Sequence, residues 1–180
     1  MKSDITLNME LSTGVSAQLV GEFLVVKGPK GEVKININYP GVEVLTEQDK
    51  VVLKALKATK REKTVMGSFQ SHINSAIKGV QEEFVYKVKI CSGHFPMNVS
   101  ISGKELTIKN FLGEAVPRKV RLLDGAKVKV NGAEIEIVSP DKGIAGQVAG
   151  QIEQLCRITN RDKRIFQDGC YIIHKAGKDI

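Results

Sequence analysis

The chain contains an internal repeat, and this feature limits its fold more than any other. Residues 21–32 ("GEFLVVKGPKGE") align with residues 103–114 ("GKELTIKNFLGE") at a constant offset of 82. Residues 63–77 align with residues 142–156 at an offset of 79, and the change of three corresponds to a shorter loop. Because both matches occur in the same order, we infer a tandem duplication of one structural unit.

The later match predicts one helix in each copy. Its apolar residues recur at i, i+4, i+8, i+11 and i+12, which places them on one side of an α-helix. They are Val65, Phe69, Ile73, Ala76 and Ile77 in the first copy, and Ile144, Val148, Ile152, Leu155 and Cys156 in the second. Thr59 with Glu62 is a capping-box pattern for the first helix, and residues 139–141 ("SPD") can start the second, which we expect to end near Ile158.

Ahead of each helix the apolar residues alternate with polar ones, which is typical of short strands separated by glycine-containing turns. The predicted strands are 15–20, 22–28, 31–38, 41–46 and 50–56 in the first copy, and 84–90, 98–102, 105–109, 118–123, 127–130 and 133–139 in the second. We therefore predict an α+β fold of two tandem duplicated domains, 1–82 and 83–180. In each, a small, mainly antiparallel sheet has a helix packed on one face.

The charge balance favours a polyanionic partner. The 180 residues carry a net charge of +7, as expected for a protein that binds nucleic acid or an anionic membrane surface. Residues 1–82 hold 11 Lys and Arg against 9 Asp and Glu, whereas residues 83–180 hold 16 against 11, a net of +2 against +5. No apolar run is long enough for a membrane span and the start has no signal-peptide pattern. Three cysteines without paired spacing fit a reducing cytoplasm, and two of them lie in apolar surroundings typical of small core residues.

No catalytic or metal-binding motif is visible, so we predict neither an enzyme nor a cofactor. The three histidines (His72, His94 and His174) lie far apart, and zincin, nucleophile-elbow and Walker patterns are absent from the sequence. Residues 28–31 ("GPKG") can cradle a phosphate but fit a hairpin turn better. Residues 143–146 ("GIAG") resemble the backbone-clamping loop of a KH domain, although the first copy lacks the first glycine. Small residues at Gly146 and Gly150 more simply allow the helix to approach the sheet closely.

Two basic segments are candidates for contact with an anion. Residues 54–63 carry five cations and one Glu, and they are either a solvated surface or an RNA contact. The second segment follows the second helix and holds Arg157, Arg161, Lys163 and Arg164. Phe166 either anchors this segment to its own domain, which we favour, or stacks on a base. Asp168 and Gly169 are predicted to turn the chain into a last strand, residues 170–175, so that a cationic loop is held by apolar structure at both ends.

The C-terminal residues resemble one family closely. The pattern "QxxxIxxRxxRxFxDGxYI..K" is followed by Gln154, Ile158, Arg161, Arg164, Phe166, Asp168, Gly169, Tyr171, Ile172 and Lys175. This is similar to the ribosomal protein L6 family of the large subunit, in its archaeal and eukaryotic branch, with Cys170 at a position that is usually branched aliphatic. The compact chain, without long basic extensions, favours the archaeal side. The resemblance covers essentially the whole chain.

The resemblance implies a cytoplasmic structural constituent of the large ribosomal subunit that binds large-subunit (23S) ribosomal RNA, mainly through the second domain. It further implies a position near the sarcin–ricin loop and the stalk base, beside neighbouring ribosomal proteins and the docking region of translational GTPases. Residues that would contact RNA are Arg157, Arg161, Lys163, Arg164 and Lys175. Residues with a mainly structural role would be Phe166, Asp168, Gly169 and Tyr171.

Two other functions fit parts of the sequence. A stand-alone RNA-binding protein, acting in assembly or regulation, can use the same fold and the same basic loop. An enzyme with a site between the domains requires converging acid, base or metal-ligating groups, and the sequence shows none.

Overall fold

The chain forms two structural units in a computed structural model that describes residues 3–47 and 50–180. The units are Met1–Glu83 and Phe84–Ile180. Each is built of antiparallel strands and one α-helix, and each has its own hydrophobic core.

Within the residues that the structure describes, the first unit has six strands and a helix. In chain order they are β1 (Ser3–Glu10), β2 (Ser16–Val20), β3 (Phe23–Gly28), β4 (Gly31–Asn36), β5 (Glu43–Thr46), β6 (Lys50–Ala58) and α1 (Lys60–Gln81). One sheet has the order β1-β6-β5 and the other the order β2-β3-β4. Helix α1 packs against strands of both sheets.

The second unit repeats this arrangement and adds to it. Its elements are β7 (Phe84–Cys91), β8 (Asn98–Ser102), β9 (Glu105–Lys109), β10 (Arg118–Arg121), β11 (Lys127–Asn131), β12 (Glu134–Ser139), α2 (Lys142–Leu155), β13 (Gly169–Lys175) and β14 (Lys178–Asp179), with a single 3-10 turn at Phe111–Gly113. The sheet orders are β10-β9-β8 and β11-β12-β7-β13-β14. Since β7-β12-β11 corresponds to β1-β6-β5, and β8-β9-β10 to β2-β3-β4, the predicted α+β fold of two duplicated units is confirmed.

The structure adds detail that the sequence analysis did not contain. Each unit has two small sheets with the helix against both, rather than a single sheet. Strand β1 was not predicted, although Ile5, Leu7 and Met9 alternate with polar residues along it.

Residues 28–31 form a hairpin turn between β3 and β4. The Lys30 amide donates to the Val80 carbonyl at 2.9 Å, and an added Cβ on Gly28 would lie 2.7 Å from the Val80 side chain, so this turn is docked on α1.

Both helices begin where their capping residues predict. The Thr59 hydroxyl accepts from the Arg61 amide at 3.3 Å, while the Glu62 carboxylate accepts from the Thr59 amide at 2.7 Å, which completes a capping box. The Asp141 carboxylate accepts from the Gly143 amide at 2.7 Å and caps α2. Nine of the ten residues of the predicted stripes belong to the two cores, with Ile73 and Ile152 fully buried, and Val65 is the exception.

The predicted end of the second helix near Ile158 is wrong, because α2 ends at Leu155. The amides of Cys156 and Arg157 donate to carbonyls three residues earlier, at 3.2 and 3.1 Å, which tightens the last turn. The Leu155 carbonyl, which a longer helix would use for its own ladder, instead accepts from the Arg118 guanidinium at 2.7 Å. Asn160 then adopts a left-handed conformation (φ 58°), which a helix cannot contain.

Glycine plays different roles at two positions of α2. An added Cβ on Gly146 would lie 3.4 Å from the Tyr86 hydroxyl, so this glycine does allow close approach to β7. At Gly150 an added Cβ would meet nothing within 4 Å, so the same explanation does not hold there. No helix in the described part of the chain is long and apolar enough to cross a membrane.

Candidate nucleic-acid interface

The basic C-terminal segment forms a loop, residues 156–168, between the end of α2 and the start of β13. Arg157, Arg161, Lys163 and Arg164 are all exposed. Lys175 is exposed at the last position of β13. The loop residues therefore present four cations to solvent, with Lys175 at the far end of the adjoining strand.

The start of this loop is held by Arg118 on β10. Its guanidinium donates to the Leu155 carbonyl at 2.7 Å and to the Arg157 carbonyl at 3.2 Å. A cation at the C-terminal end of a helix also offsets the partial negative charge of the last carbonyls. Arg118 thus fixes the point where the chain leaves α2.

Arg118 is itself fixed by two further interactions. It makes a two-pronged ion pair with Glu114, with nitrogen–oxygen distances of 2.8 and 2.6 Å. Its guanidinium also lies 4.3 Å from the centre of the Phe111 ring. The hydrogen bonds from Arg118 hold the pKa of the Glu114 carboxyl below its usual value, and the nearby charge of Arg161 adds to this effect. Arg118 is therefore engaged within the protein, whereas the loop cations face outward.

A tight turn in the middle of the loop is organised by Asp162. Its carboxylate accepts from the Arg164 amide at 2.9 Å, and its carbonyl accepts from the amides of Ile165 and Phe166 at 3.1 and 2.9 Å. Such a carboxylate-to-backbone bond is a common way for Asp to close a turn. The predicted turn at Asp168 and Gly169 is wrong, because the chain already turns at residues 163–165 and Gly169 is the first residue of β13.

Asp162 also pairs with the side chain of Arg164. The guanidinium donates to the carboxylate at 2.7 Å through Nη2 and at 3.1 Å through Nε. This hydrogen bonding lowers the pKa of the Asp162 carboxyl and raises the pKa of Arg164. The Arg164 side chain is nevertheless 89% exposed. Water therefore screens the pair, so it adds little to stability.

Phe166 is half-buried and packs against the core of the second unit. The Arg161 guanidinium lies 4.9 Å from the centre of its ring, a cation–π distance. The His94 ring stacks on Phe166 with a centroid distance of 4.8 Å. The aromatic ring thus connects a loop cation to the segment that follows β7.

Asp168 holds the far end of the loop. It is only 2% exposed, and its carboxylate accepts from the Gly93 amide and, at 2.9 Å, from the His94 amide. The second carboxylate oxygen lies 2.5 Å from Nδ1 of His94. Burial by itself would raise the pKa of Asp168, but the hydrogen bonds from His94 and Gly93 outweigh it and hold the pKa below its usual value.

Gly169 and Tyr171 shape the start of β13. An added Cβ on Gly169 would lie 3.2 Å from the Tyr171 ring, so a larger residue there would require the ring to shift by a few tenths of an ångström. Tyr171 is 42% exposed, and its hydroxyl donates to the Gln167 carbonyl at 3.2 Å. Tyr171 therefore covers the end of the loop from the outside rather than filling the core.

A cavity of about 470 Å³ lies beneath the loop. Its walls come from the last turn of α2, the loop and the start of β13, and they combine charged, aromatic and thiol groups. The lining includes Glu153, Cys156, Arg157, Lys163, Phe166, Cys170 and Tyr171. The cavity reaches the surface, since Arg157 and Lys163 are exposed.

The basic segment of the first unit is built differently. Lys54, Lys57, Lys60, Arg61 and Lys63 are all exposed, at the end of β6 and the start of α1. The Lys57 amide donates to the Asp4 carboxylate at 2.7 Å, where the chain adopts a left-handed conformation (φ 50°). These cations lie on regular elements and their short connection, not on a separate loop.

Three residues that position the loop were not found from the sequence. They are Arg118, Asp162 and His94. The signal for Asp162 was present, because an Asp two residues before an Arg in a polar segment is a turn pattern. The contacts that place Arg118 and His94 against the loop gave no local signal, since they span 37 and 74 residues of the chain.

The described residues contain no group of three or more His, Cys, Asp or Glu side chains that could hold a metal ion. His174 bonds to Asp179 at 2.6 Å, and His94 bonds to Asp168. Each of these two histidines is thus tied to a neighbouring carboxylate within the second unit.

Comparison with known proteins gives a consistent result. The sequence profile of the family described as Ribosomal protein L6 matches residues 12–83 and 95–169, one match in each unit. The large ribosomal subunit protein uL6 of Methanococcus vannielii is 42% identical over 170 residues, covering 94% of this chain and 93% of that protein. The protein of the same name from Methanosarcina mazei is 43% identical over 176 residues, covering 98% and 100%. These matches confirm the resemblance that the C-terminal residues indicated, and with it the expectation of a ribosomal protein rather than an enzyme.

Proposed function

The chain belongs to the ribosomal protein L6 family, and we propose that it is a structural constituent of the large ribosomal subunit that binds large-subunit ribosomal RNA. Residues 83–180 are proposed as the main RNA-binding domain. The observation that carries the proposal is the cationic loop 156–168, which is fixed by Arg118 at its start and by Asp168 at its end.

The loop suits an RNA backbone because its cations are exposed while its backbone is held. Fixing the loop in the free protein lowers the conformational entropy that binding must remove. The side chains of Arg157, Arg161 and Lys163 reach into solvent, and we assign them to phosphate contacts, with Lys175 at the far end of β13. Arginine is suited to this task because its planar group can contact two phosphate oxygens at once.

Arg164 is assigned to the same surface by exchange of its partner. In the structure it is paired with Asp162, and the pair is exposed. A phosphate can replace this carboxylate at small cost, because exposed ion pairs contribute little free energy. Asp162 then serves to hold the guanidinium in position before RNA arrives.

The remaining motif residues are assigned to support of the loop. The Phe166 ring contacts the Arg161 guanidinium, and the Asp168 carboxylate accepts hydrogen bonds from the amides of residues 93 and 94. Gly169 leaves room for the Tyr171 ring. Substitutions of these residues should lower the stability of the second unit as well as RNA binding.

The finer position in the ribosome rests on the family resemblance. We propose that the protein lies near the sarcin–ricin loop and the stalk base of cytoplasmic ribosomes, beside other large-subunit proteins and the docking region of translational GTPases. A cleavage reagent attached to residue 163 of the protein, in reconstituted large subunits, should cut the RNA at the sarcin–ricin loop or the stalk base. Cuts confined to other regions of the RNA would contradict this position.

The RNA-contact assignment is tested by paired triple variants. One variant replaces Arg161, Lys163 and Arg164 with Ala, and the matched control replaces the exposed Lys60, Arg61 and Lys63 of the first unit with Ala. Both lose three positive charges, so they are matched in charge and differ in place. For the loop variant the slope of log affinity against log salt should become shallower by roughly 0.7 to 0.9 for each phosphate that is no longer neutralised, with an unchanged melting temperature. The control should bind nearly as the wild type does.

Either of two results would overturn the assignment. If the loop variant keeps wild-type affinity and salt dependence, the loop is a solvated surface. If the control variant loses as much affinity as the loop variant, the two units share RNA binding. Co-sedimentation with large subunits through high-salt washes separates a ribosomal constituent from a stand-alone assembly or regulatory protein, which would be washed off.

A further inference from the structure

Two cysteines lie against each other beneath the cationic loop. Cys156 directly follows the last residue of α2, and Cys170 is the second residue of β13, so the pair brackets the loop. Their side chains interact beside the same cavity, and they are 5% and 1% exposed. Both belong to the core of the second unit and both are free thiols in the structure.

The third cysteine lies on the opposite face of the sheet. In the pairing of β7 with β13, Cys91 lies opposite Gly169, while Cys170 lies opposite Ile90. Successive side chains of a strand point to opposite faces, so Cys91 shares a face with Gly169 and not with Cys170. It also lines a separate cavity with His94 and Tyr171, whereas Cys156 and Cys170 line the cavity beneath the loop. This placement singles out one pair of thiols.

The pair can be reached by a small molecule although it is buried. The cavity of about 470 Å³ is lined by both thiols and also by the exposed residues Arg157 and Lys163. A molecule of the size of hydrogen peroxide can enter such a space.

The two thiols are chemically unequal. The interaction with the Cys170 side chain lowers the pKa of the Cys156 thiol, and the Arg118 charge adds to this effect. The same interaction, together with burial, raises the pKa of Cys170. The thiolate is the nucleophilic form of cysteine, so Cys156 is suited to react first and Cys170 to respond.

We propose that Cys156 and Cys170 are a reversible oxidation site that closes to a disulfide when the protein meets a hydroperoxide. The Cys156 thiolate attacks one peroxide oxygen, the O–O bond breaks, and after proton uptake a sulfenic acid and one water form. The Cys170 sulfur then attacks the sulfenic sulfur, the S–O bond breaks, and the thiol proton leaves with the hydroxyl group as a second water. Two thiols are oxidised and one peroxide is reduced, and a small dithiol reverses the change by exchange.

The bond would close residues 156–170, which include the loop, into a covalent ring. Its effect on stability follows from the unfolded chain, whose freedom the ring restricts. The second unit of the oxidised protein should therefore melt at a higher temperature than that of the reduced protein, by roughly 10 to 20 °C.

The test uses the full-length protein with hydrogen peroxide as the oxidant, followed by alkylation of the remaining thiols, proteolysis and mass spectrometry. We expect a cross-linked peptide joining residues 156 and 170, with Cys91 alkylated, and loss of the cross-link after treatment with dithiothreitol. The Cys91→Ser variant should form the same bond, whereas Cys156→Ser and Cys170→Ser should not. Peptide mapping of the wild-type protein tests the proposal even if a variant fails to fold, because it requires no substitution.

Several other results would contradict the proposed disulfide. Full alkylation of Cys156 and Cys170 after oxidation would overturn the proposal, and so would a sulfinic acid at Cys156 with Cys170 still free. A disulfide to Cys91, or one between two chains, would show that the pair beneath the loop does not react as a unit. Bond formation is measured without RNA, so its outcome is independent of the RNA-binding test.

Discussion

The two units share one strand order and differ at the point where each helix ends. Helix α1 has 22 residues and continues to Gln81, close to the start of β7, whereas α2 has 14 and ends at Leu155. With the repeat offset of 79, the residues at which α1 continues (77–81) correspond to residues 156–160, where the second copy leaves the helix. The second copy then adds the cationic loop and strand β13, which pairs with β7.

The strands and the helix that both units share form a common framework, and the cationic loop and strand β13 are additions in the second unit. Strand β1, the counterpart of β7, is the last strand of its sheet in the described chain, while β7 has β13 on that side. The shared framework buries two cores of similar construction. The addition holds the exposed arginines and their supports, so the proposed RNA contacts lie on the added segment while both copies share the fold.

The largest expected effect comes from breaking each core at equivalent helical positions. Ile73 and Ile152 are fully buried at equivalent places in the two stripes. Replacing either with Asp should destabilise its own unit by about 3 to 5 kcal/mol, because an unpaired charge would be buried. Thermal or denaturant unfolding followed separately in each unit measures this effect.

Exposed positions on the same helices give the matched controls. Asn74→Asp on α1 and Gln147→Asp on α2 introduce the same carboxylate where the side chain faces solvent. They should leave stability within about 0.5 kcal/mol of the wild type. Wild-type melting of the two isoleucine variants would mean that the stripes are not the core of their units.

A smaller effect, confined to the second unit, is expected from Asp168. The Asp168→Asn variant keeps the shape but removes the charge that accepts from Gly93 and His94, at a cost of about 1 to 3 kcal/mol at neutral pH. The pKa of Asp168 is lowered by folding, so the stabilisation is present above the unfolded value of about 3.9 and is lost as pH falls through the lower folded value.

The difference in unfolding free energy between the wild type and the Asp168→Asn variant should therefore become smaller at acidic pH. Denaturant unfolding at neutral pH and near pH 3 measures it. Asp124→Asn is the control. Because the Asp124 carboxylate is exposed, this substitution should change the unfolding free energy little at either pH. An equal difference at the two pH values would show that the Asp168 charge does not stabilise the loop end.

The smallest expected effects compare the two helix caps. Thr59→Ala and Asp141→Ala each remove a side chain that accepts from the first helical amides. Each should cost about 1 kcal/mol in its own unit. A Thr59→Ser variant, which keeps the hydroxyl, should recover most of the loss in the first unit. Loss of stability in the other unit would mean that the two units do not unfold separately.

The parts of the fold that could be predicted from sequence are those encoded by neighbouring residues. Alternation marked most strands, the i, i+4, i+8 stripe marked both helices, and Thr59 and Asp141 marked their starts. The end of α2 could not be predicted, because it depends on the Arg118 guanidinium, which takes the Leu155 carbonyl across 37 residues.

The candidate site also has one part that the sequence predicts and another part that it does not. The cluster of cations is visible in the sequence, but its orientation depends on pairs distant in the chain. The bond between His94 and Asp168 spans 74 residues, and no local pattern connects them. The motif itself suggested a turn at Asp168, whereas tertiary interactions use that carboxylate as an anchor and leave the turn to Asp162.

The anchoring of Asp168 has a consequence for hydrogen exchange. The amides of Gly93 and His94 lie in an exposed bend, where exchange with water is ordinarily fast. Both donate to the Asp168 carboxylate, so their protons can exchange only when that anchor opens. The exchange rate of these two amides therefore reports how often the far end of the cationic loop detaches, at residues far from it in the chain.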